Sequence, residues 1–536
     1  MSGAGLTLRP WARGDVPALT GAEAAAWDLR AIDRVGVPER VLMENAGRAA
    51  ALVLQRLHPD GRIVGIVGAG NNGGDALVML RTLAVWGRDV RAVLVADREV
   101  SDPLTHGWNV PTSTDAELDG PGWRALLDGA AVVIDGILGT GVRGAPRERQ
   151  AAAIGAVNAS APSVLAVDVP SGIDPETGAV PGEAVRADVT VAFGAPKLGS
   201  LLHPARALVG RLVAVEIGFP PLEEGEAGAF LATPGWARAR LPRRATDTHK
   251  NAVGRLLVVG GGMGMAGAAV LAARGALRAG VGIVRVATVP ANREIVQSAF
   301  PEALWVDVTD GSAVQAAVEA SDAVVIGPGL GQDDDARRVL AWVLDNPDAS
   351  ARPVLLDADA LNLAAAGVVD LPDVGARRPL LLTPHPGEMG RLLGDGVTPD
   401  DDAERSRARG PADRARLAAE RFHAAVLLKG APSVVAVEDG PLRVDTQGSS
   451  DLAAAGMGDT LSGVCGALLA QGLHPGDAGA VGLYLTGRAA RLAGKGVSLT
   501  PSDVAERLPD ALSEPVDGDT SPLALPFVIF DADAAE

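Results

Sequence analysis

The chain has 536 residues, more than one hydrophobic core ordinarily holds, so two or three domains are expected. A formal net charge of −18 argues against a surface that binds nucleic acid or an anionic membrane. The one cysteine, Cys465, excludes an intrachain disulfide framework, and the N-terminus shows no apolar leader, so we expect a cytoplasmic protein.

The first half of the chain predicts helices followed by an α/β domain. Residues 21–58 predict one or two helices, because apolar residues recur at helical spacing between Leu42 and Leu57. From residue 63 to 218, short apolar runs alternate with helical patterns. This alternation is typical of a parallel, doubly wound sheet. Residues 219–244 are rich in proline, glycine and charge, which predicts a connector.

A second series of apolar runs and helical patterns follows over residues 245–508. Residues 256–273 carry no charge over 18 positions, the length of a marginal membrane span. Their central glycines favour a buried strand, a turn and the start of a helix instead. Residues 509–536, acidic and proline-containing, predict a tail. The sequence therefore predicts two α/β domains in tandem, residues 1–218 and 245–508.

A glycine-rich string, GAGNNGGDAL, begins at Gly68 after a predicted strand. Gly68, Gly70 and Gly73 match the dinucleotide fingerprint, and Asp97 ends the next apolar run, so spacing alone indicates a Rossmann dehydrogenase. In such a loop the phosphates lie at the helix N-terminus. Asp75 falls at or near that helix start and would repel them, although a helix-capping role is the simpler interpretation of Asp75 alone.

Two further strand ends carry polar side chains. Asp135 ends the run VVID, and Asp168 ends LAVD, with Ser171 three residues later. Because ligands bind at the carboxyl ends of strands in open α/β sheets, Asn72, Asp135 and Ser171 predict an oxygen-rich cluster. Such hard ligands suit an alkali or alkaline-earth ion, not zinc.

These strings, with LMENAG at residues 42–47 and FGAPKLG at 193–199, resemble the NAD(P)H-hydrate epimerase family over roughly residues 20–218. The resemblance implies a Rossmann-like, three-layer α/β/α domain that binds the nicotinamide hydrates NADHX and NADPHX and inverts carbon 6. It also implies K⁺ on Asn72, Asp135 and Ser171. The implied substrate contacts are Asn71, Asn72, Gly73, Gly74, Asp75, Gly139, Thr140, Gly141, Val142, Arg143, Gly144 and Ala145.

Asp168 is the candidate general acid/base of this half. Epimerisation of a carbinolamine carbon proceeds by ring opening or by loss and return of water. Either route needs a carboxylate within hydrogen-bonding reach of the hydroxyl. The residues leave the choice of route open.

The second half contains the string AAGMGDTLSG at residues 454–463. A glycine turn followed by Asp459 at a helix start provides anion-binding N–H groups and a carboxylate beside them. That arrangement can hold a transferring phosphoryl group while a base takes a hydroxyl proton. An ordinary capped helix is the alternative. The strings GPGLG, DADAL, TPHPGE and LLKGAPSVV all lie upstream and make the set more specific.

Together they resemble the ribokinase-like superfamily, and within it the ADP-dependent NAD(P)H-hydrate dehydratases, over roughly residues 245–505. The resemblance implies phosphorylation of the hydrate hydroxyl and elimination of phosphate, a better leaving group than hydroxide. It implies Mg²⁺ on the nucleotide phosphates and Asp459 as the base. The implied nucleotide contacts are Lys429, Gly430, Ala431, Pro432, Ser433 and Gly458, and the implied hydrate contacts are Ala268, Gly331 and His385.

The sequence therefore predicts a bifunctional nicotinamide-nucleotide repair enzyme, a homo-oligomer that acts on small molecules with ADP or ATP. The alternative is a ribokinase-like kinase of a small metabolite with an accessory N-terminal binding domain. A third interpretation makes the N-terminal half a non-catalytic scaffold, against which Asn72, Asp135, Asp168 and Ser171 argue. A simple dehydrogenase would need no second nucleotide-dependent site.

Overall fold

The computed structural model describes residues 15–95, 97–98, 102–141, 143–160, 162–344, 352–394, 410–514, 523 and 525–532. The chain divides into two compact units. The first lies within residues 1–230 and 519–536, and the second within residues 231–518. Each unit contains one sheet with helices, so the predicted α/β class with two domains is confirmed.

The described residues form eighteen strands, and the chain passes from the first unit to the second within the eighth. They are β1 Ile63–Val67, β2 Val90–Leu94, β3 Thr112–Thr114, β4 Val132–Gly136, β5 Ser163–Val167, β6 Val189–Phe193, β7 Arg211–Val215, β8 Ala229–Leu231, β9 Arg255–Val259, β10 Ile283–Thr288, β11 Leu304–Asp307, β12 Ala323–Ile326, β13 Val354–Leu356, β14 Leu380–Leu382, β15 Ala425–Leu428, β16 Val434–Ala436, β17 Leu442–Val444 and β18 Val528–Ala532.

The α-helices follow the predicted alternation with the strands. Those of the first unit are Gly21–Leu29, Glu39–Leu57, Asn71–Val85, Gly120–Asp128, Glu148–Asn158 and Arg206–Val209. Those of the second unit are Pro234–Arg240, Ala266–Arg278, Arg293–Ala299, Gly311–Glu319, Asp334–Leu344, Asp359–Ala365, Leu371–Arg377, Pro386–Leu393, Pro411–Phe422, Met457–Ala470, Pro475–Ala493 and Pro501–Ser513.

The sheet of the first unit has the strand order β18-β7-β6-β5-β4-β1-β2-β3. All neighbours are parallel except β18 with β7. One apolar cluster packs the helices Glu39–Leu57 and Asn71–Val85 on one face, and a second packs Gly120–Asp128 and Glu148–Asn158 on the other. The strand order reverses between β1 and β4. A crevice therefore opens at the carboxyl ends of these two strands, where ligands bind in such sheets.

The sheet of the second unit has the order β11-β10-β9-β12-β13-β14-β15-β16-β17-β8. Strands β9 to β15 pair in parallel, whereas β15, β16 and β17 form an antiparallel meander. Here the order reverses between β9 and β12. The glycine-rich loops after these strands hydrogen-bond to each other, from Gly261 N to Pro328 O (2.9 Å) and from Gly262 N to Gly329 O (2.6 Å).

Two predicted boundaries differ from the structure. The connector predicted over residues 219–244 contains β8 and a helix whose Trp236 is buried in the core of the second unit. The predicted tail also contains order, because a helix runs to Ser513 and β18 pairs with β7. Arg211 in β7 donates two hydrogen bonds of 2.8 Å to Asp531. In both segments, burial and strand pairing with distant residues decide the structure despite the polar composition. The rest of the predicted tail, residues 515–522, 524 and 533–536, lies outside the described residues.

The uncharged stretch at residues 256–273 forms β9, a turn and the first part of the helix Ala266–Arg278, as expected. In the part of the chain that the structure describes, no helix is long and apolar enough to cross a membrane.

Candidate active sites

The glycine-rich loop after β1 packs against the loop after β4. A side chain at Gly68 would overlap the carbonyl oxygen of Ile137, so only glycine allows the two loops to approach. The following helix begins at Asn71 with Gly70 as its N-cap, and Asp75 lies in its second turn. The interpretation of Asp75 as a helix cap is therefore wrong, and its carboxylate is available for another role.

Asp135 and Ser171 meet at the predicted strand ends. Both are fully buried, and Ser171 donates to the Asp135 carboxylate from its N–H (2.7 Å) and from Oγ (2.6 Å). The N–H of Ile137 also donates to this carboxylate, at 3.2 Å. Burial outweighs these hydrogen bonds and raises the pKa of Asp135 to about 6. Among the described residues, no lysine or arginine side chain pairs with this buried carboxylate.

Asn72 completes this cluster. Its Nδ2 donates to the carbonyl of Leu138 (2.7 Å), and Ser171 Oγ accepts from the N–H of the same residue (2.8 Å). Asn72 is 7% exposed, and its Oδ1 has no hydrogen-bond partner. A buried oxygen without a partner is costly unless a cation or donor occupies the space beside it. The donor set of amide, carboxylate and hydroxyl oxygens fits a hard cation.

Asp168 follows β5 in a left-handed backbone conformation, with φ of 65°. Its Oδ1 accepts hydrogen bonds from the Phe193 N–H (3.0 Å) and from the ammonium of buried Lys197. Lys197 also donates to the Phe193 carbonyl at 3.0 Å. The second carboxylate oxygen, Oδ2, makes no hydrogen bond among the described residues. A non-glycine residue in this strained conformation, held by a buried lysine, indicates a functional carboxylate.

A cavity of about 750 Å³ lies at the carboxyl ends of these strands. It is lined by Asp168 and Lys197 and by eight of the predicted contacts, namely Asn71, Asn72, Asp75, Gly139, Thr140, Gly141, Arg143 and Ala145. The predicted contacts Gly73 and Gly74 are instead buried in the helix, and Gly144 does not line the cavity. Val142 lies outside the described residues.

Sequence reasoning missed two acidic residues of this cavity, Asp28 and Glu39. Burial and the neighbouring Asp168 and Asp28 raise the pKa of Asp75 well above its ordinary value. Burial, with Glu39 and Asp168, likewise raises the pKa of Asp28. Neither missed residue belongs to a glycine-rich string, so no local signal marked them. Lys197 had a signal, because it is one of only four lysines in the chain.

In the second unit, Asp459 lies in the first turn of the helix Met457–Ala470. The helix is entered through Gly456, whose φ of 87° favours glycine. Burial and the charges of Asp357 and Asp359 raise the pKa of Asp459 to about 6, and Lys429 opposes this rise. Asp459 therefore combines a helix N-terminus with the proton affinity of a general base near neutral pH.

Lys429 reaches this helix start from the end of β15. Its ammonium lies 2.5 Å from Oδ1 of Asp357, and a Cβ on Gly458 would lie 3.3 Å from the same nitrogen. The predicted loop from Lys429 to Ser433 turns back on itself, with the Gly430 N–H donating to Ser433 Oγ at 3.2 Å. The structure thus brings together Lys429 and Gly458, the predicted nucleotide contacts, and Asp459, the predicted base, and it adds Asp357.

The predicted hydrate contacts lie on neighbouring elements of the same unit. The Gly331 N–H donates to Asp359 (2.9 Å), and Ala268 lies in the helix that begins at Ala266, close to Gly329. His385 is the N-cap of the helix Pro386–Leu393 and accepts from the Gly387 N–H at 3.0 Å. His385 therefore has a structural role as well, although half of its side chain is exposed.

Comparison with known proteins agrees with this division of the chain. A family model for NAD(P)H-hydrate dehydratase matches residues 256–510, and one for the YjeF-related protein N-terminus matches residues 39–199. Two α/β units, each matched by its own family model, have the architecture of a two-domain enzyme.

Relatives match nearly the whole chain. The bifunctional NAD(P)H-hydrate repair enzyme Nnr of Hyperthermus butylicus is 36% identical, covering 93% of each chain. The enzyme of that name in Escherichia coli is 37% identical, covering 86% of this chain and 87% of its own. An ADP/ATP-dependent NAD(P)H-hydrate dehydratase from Bacillus subtilis, co-crystallised with ATP and Mg²⁺, is 29% identical with a TM-score of 0.43, covering 52% of this chain and 96% of its own. The chain belongs to the family of bifunctional NAD(P)H-hydrate repair enzymes.

Proposed function

We propose that the first unit interconverts the R and S forms of NADHX and NADPHX, and that the second unit dehydrates the S form with ADP or ATP. The observation that carries this proposal is the pairing, on one chain of this family, of two different sites. One is a carboxylate-lined cavity around Asp168, and the other is a helix start that carries Asp459 beside Lys429. Because the epimerase converts the R hydrate to the S hydrate, a chain that also carries a dehydratase for the S hydrate can repair both epimers.

In the first unit, Asp168 acts as the acid/base on the C6 hydroxyl or ring nitrogen of the hydrate. Lys197 and the Phe193 N–H hold Oδ1, which leaves Oδ2 to accept or return a proton. Asp75 and Asp28, whose pKa values are raised by burial and neighbouring carboxylates, line the same cavity. Asn71, Thr140 and Arg143 line the same cavity and bind the remainder of the dinucleotide.

K⁺ is proposed to bind Asn72, Asp135 and Ser171. The support is the partnerless Asn72 Oδ1 beside a buried carboxylate. Bound K⁺ would neutralise buried charge and fix the loop after β4. We therefore expect KCl to raise the midpoint temperature of unfolding of the first unit above that in tetramethylammonium chloride of equal ionic strength, by a few degrees.

Asp135→Asn is the matched control for this K⁺ effect, since it keeps the shape of the side chain and removes its charge. The K⁺-specific rise should vanish in Asp135→Asn, as measured by calorimetry. An equal rise in the variant would place the K⁺ effect elsewhere on the protein.

In the second unit, Asp459 takes the proton of the hydrate hydroxyl, and the oxygen attacks the terminal phosphorus of the nucleotide. With ADP the products of this step are AMP and the phosphorylated hydrate. Phosphate then leaves C6 with the bonding electrons and a proton leaves C5, which restores the dihydronicotinamide. Lys429 and the free N–H groups of the helix start stabilise phosphoryl charge. Mg²⁺ bound to the nucleotide would neutralise phosphate charge.

The proposed setting is the cytoplasm, with a homo-oligomeric assembly and small molecules as the partners, not nucleic acid or a membrane. The net charge of −18 and the absence of a disulfide framework support this setting. Exposed apolar side chains at Val35, Val41 and Leu52, in the N-terminal helical region of the first unit, support self-association.

The proposal is tested with purified R and S hydrates, Mg²⁺, K⁺ and ADP, ATP or no nucleotide. The measurement is recovery of reduced-nicotinamide absorbance, corrected for spontaneous epimerisation. Nucleotide-dependent recovery from both epimers is expected. The nucleotide that gives the faster recovery, ADP or ATP, is the preferred phosphoryl donor. A folded protein that recovers neither epimer, but phosphorylates another hydroxylated metabolite, would favour the alternative, a small-metabolite kinase.

A further inference from the structure

Asp357 is a buried carboxylate in the second unit to which the family resemblance gives no role. It follows β13 directly and is 1% exposed. Its Oδ1 lies 2.5 Å from the Lys429 ammonium, and its Oδ2 accepts a hydrogen bond of 2.5 Å from Ser462 Oγ. Both oxygens are thus committed to groups on other elements.

The two partners of Asp357 tie three parts of the site together. Lys429 follows β15, and Ser462 lies one turn after Asp459 in the helix Met457–Ala470. A buried carboxylate is stable only when charged and polar partners satisfy it, so this arrangement has one well-defined geometry. That geometry places the Lys429 ammonium beside Gly458, at the helix start.

We propose that Asp357 is a positioning residue for phosphoryl transfer, which holds the Lys429 ammonium at the helix start and maintains negative charge near the base Asp459. This inference rests on the proposed dehydratase activity of the second unit. Without Asp357, the flexible lysine side chain loses the partner that fixes it, and the transferring phosphoryl group loses a preorganised cation.

The charges around Asp459 come from several elements. Asp357 and Asp359 lie at and beyond the end of β13, and Lys429 lies at the end of β15. Glu388, on the helix Pro386–Leu393, interacts with Lys429 and Asp357, and it also pairs with His385 at the cap of that helix.

The neighbouring helices direct their charges elsewhere. Arg274, on the helix Ala266–Arg278, donates to the carbonyl of Ala299, and Asp503 caps its own helix through Thr500. Removing the charge of Asp357 therefore removes one of two carboxylate repulsions on Asp459, and Asp359 supplies the other.

The test is Asp357→Asn in the full chain. We expect kcat for dehydration of the S hydrate to fall about ten- to a hundredfold, as for residues that orient a functional group. The acid limb of the kcat/KM profile should move to lower pH, because Asp459 loses a neighbouring negative charge. A merely structural role would lower activity without moving this limb. Cooperative denaturant unfolding of the second unit, compared with that of the wild type, reports whether the unit that carries the variant is folded.

Asp322→Asn is the control, because it breaks an ion pair with Arg255 at the amino ends of β9 and β12, whereas Asp357 follows the carboxyl end of β13. It should leave the acid limb in place. Lys429→Met is the second variant. Asp357→Asn alone leaves the Lys429 ammonium without its carboxylate, and combining it with Lys429→Met removes that unpaired charge if the single variant folds poorly. In that background, Asp357→Asn should change kcat little further, because its effect on kcat acts through Lys429.

Two results would overturn the inference while the proposed function stands. One is a wild type that dehydrates the hydrate and an Asp357→Asn variant with unchanged kcat and unchanged acid limb. The other is that Asp357→Asn lowers kcat as much in the Lys429→Met variant as it does in the wild type. A wild type that dehydrates neither epimer would instead overturn the proposed function itself.

Discussion

At the scale of single residues, the chemistry of the two candidate sites depends on how far burial raises the pKa of their carboxyl groups. Burial raises the pKa of both Asp135 and Asp459 to about 6, but their partners differ. Asp135 accepts hydrogen bonds from Ser171 and Ile137, which suits a cation ligand. Asp459 faces other carboxylates and a lysine, which suits a group that exchanges protons. The same residue type is therefore proposed for two functions, that of a cation ligand and that of a base.

For Asp168→Ala, we expect the S hydrate to remain repairable and the R hydrate to lose enzymatic repair. The variant removes the carboxylate that Lys197 holds at the cavity, and loss of a general acid/base costs about 10²- to 10⁴-fold. Separate assays of R and S recovery measure this, with spontaneous epimerisation subtracted. Unchanged repair of the R hydrate would remove Asp168 from the mechanism.

For Asp459→Ala, nucleotide-dependent dehydration should be lost while epimerisation continues. In the wild type, a base must be ionised to accept a proton. The kcat/KM of dehydration should therefore be full above pH 7 and fall as the pH decreases through about 6, the pKa of Asp459. A pH series with S hydrate and saturating nucleotide measures the limb. Loss of both activities in the variant would show that the units are not independent.

At the scale of elements, close helix packing holds the second site. A side chain on Gly463 would overlap the carbonyl oxygen of Ala272, and one on Gly275 would meet the Thr460 carbonyl at 2.5 Å. The helices Ala266–Arg278 and Met457–Ala470 therefore approach closely through glycine. This contact fixes the helix that carries Asp459.

Gly463→Ala should destabilise the second unit by about 1–3 kcal/mol, because the helices must separate to admit a methyl group. Denaturant unfolding followed by dehydratase activity measures this, while epimerisation should persist. Gly267→Ala is the control in the packed helix, since a Cβ at this position would meet nothing within 4 Å beyond its chain neighbours and the backbone of its own helix. It should leave stability within about 1 kcal/mol. Equal loss in both variants would contradict the packing argument.

The elements that sequence reasoning misplaced share one cause. The helix around Trp236 and the strand β18 occur in segments of polar, proline-containing composition. Each is ordered by distant partners, namely the core of the second unit and the edge strand β7. Strand and helix patterns inside regular α/β repeats carry local periodicity and were predicted correctly. Segments stabilised by long-range contacts lack that signal.

At the scale of the whole molecule, the two activities are expected to be separable because each unit has its own core and its own site. Neither Asp168→Ala nor Asp459→Ala alone should repair the R hydrate. An equimolar mixture of the two variants should repair it, because the S hydrate is a small molecule that diffuses between chains. Recovery of absorbance from R hydrate measures this. Failure of the mixture, with each remaining activity intact, would indicate transfer within one assembly.

The sequence by itself determined the two α/β units, the strand ends that carry Asp135, Asp168 and Ser171, and the helix start at Asp459. Regular periodicity and glycine turns are local properties, so they can be recognised without a fold. Only the tertiary structure decided that Lys197 holds Asp168, that Asp28 joins the cavity and that Asp357 holds Lys429. These contacts join residues that are distant in the chain. Burial strengthens the electrostatic interactions between their charges, and the burial of a residue depends on the whole fold.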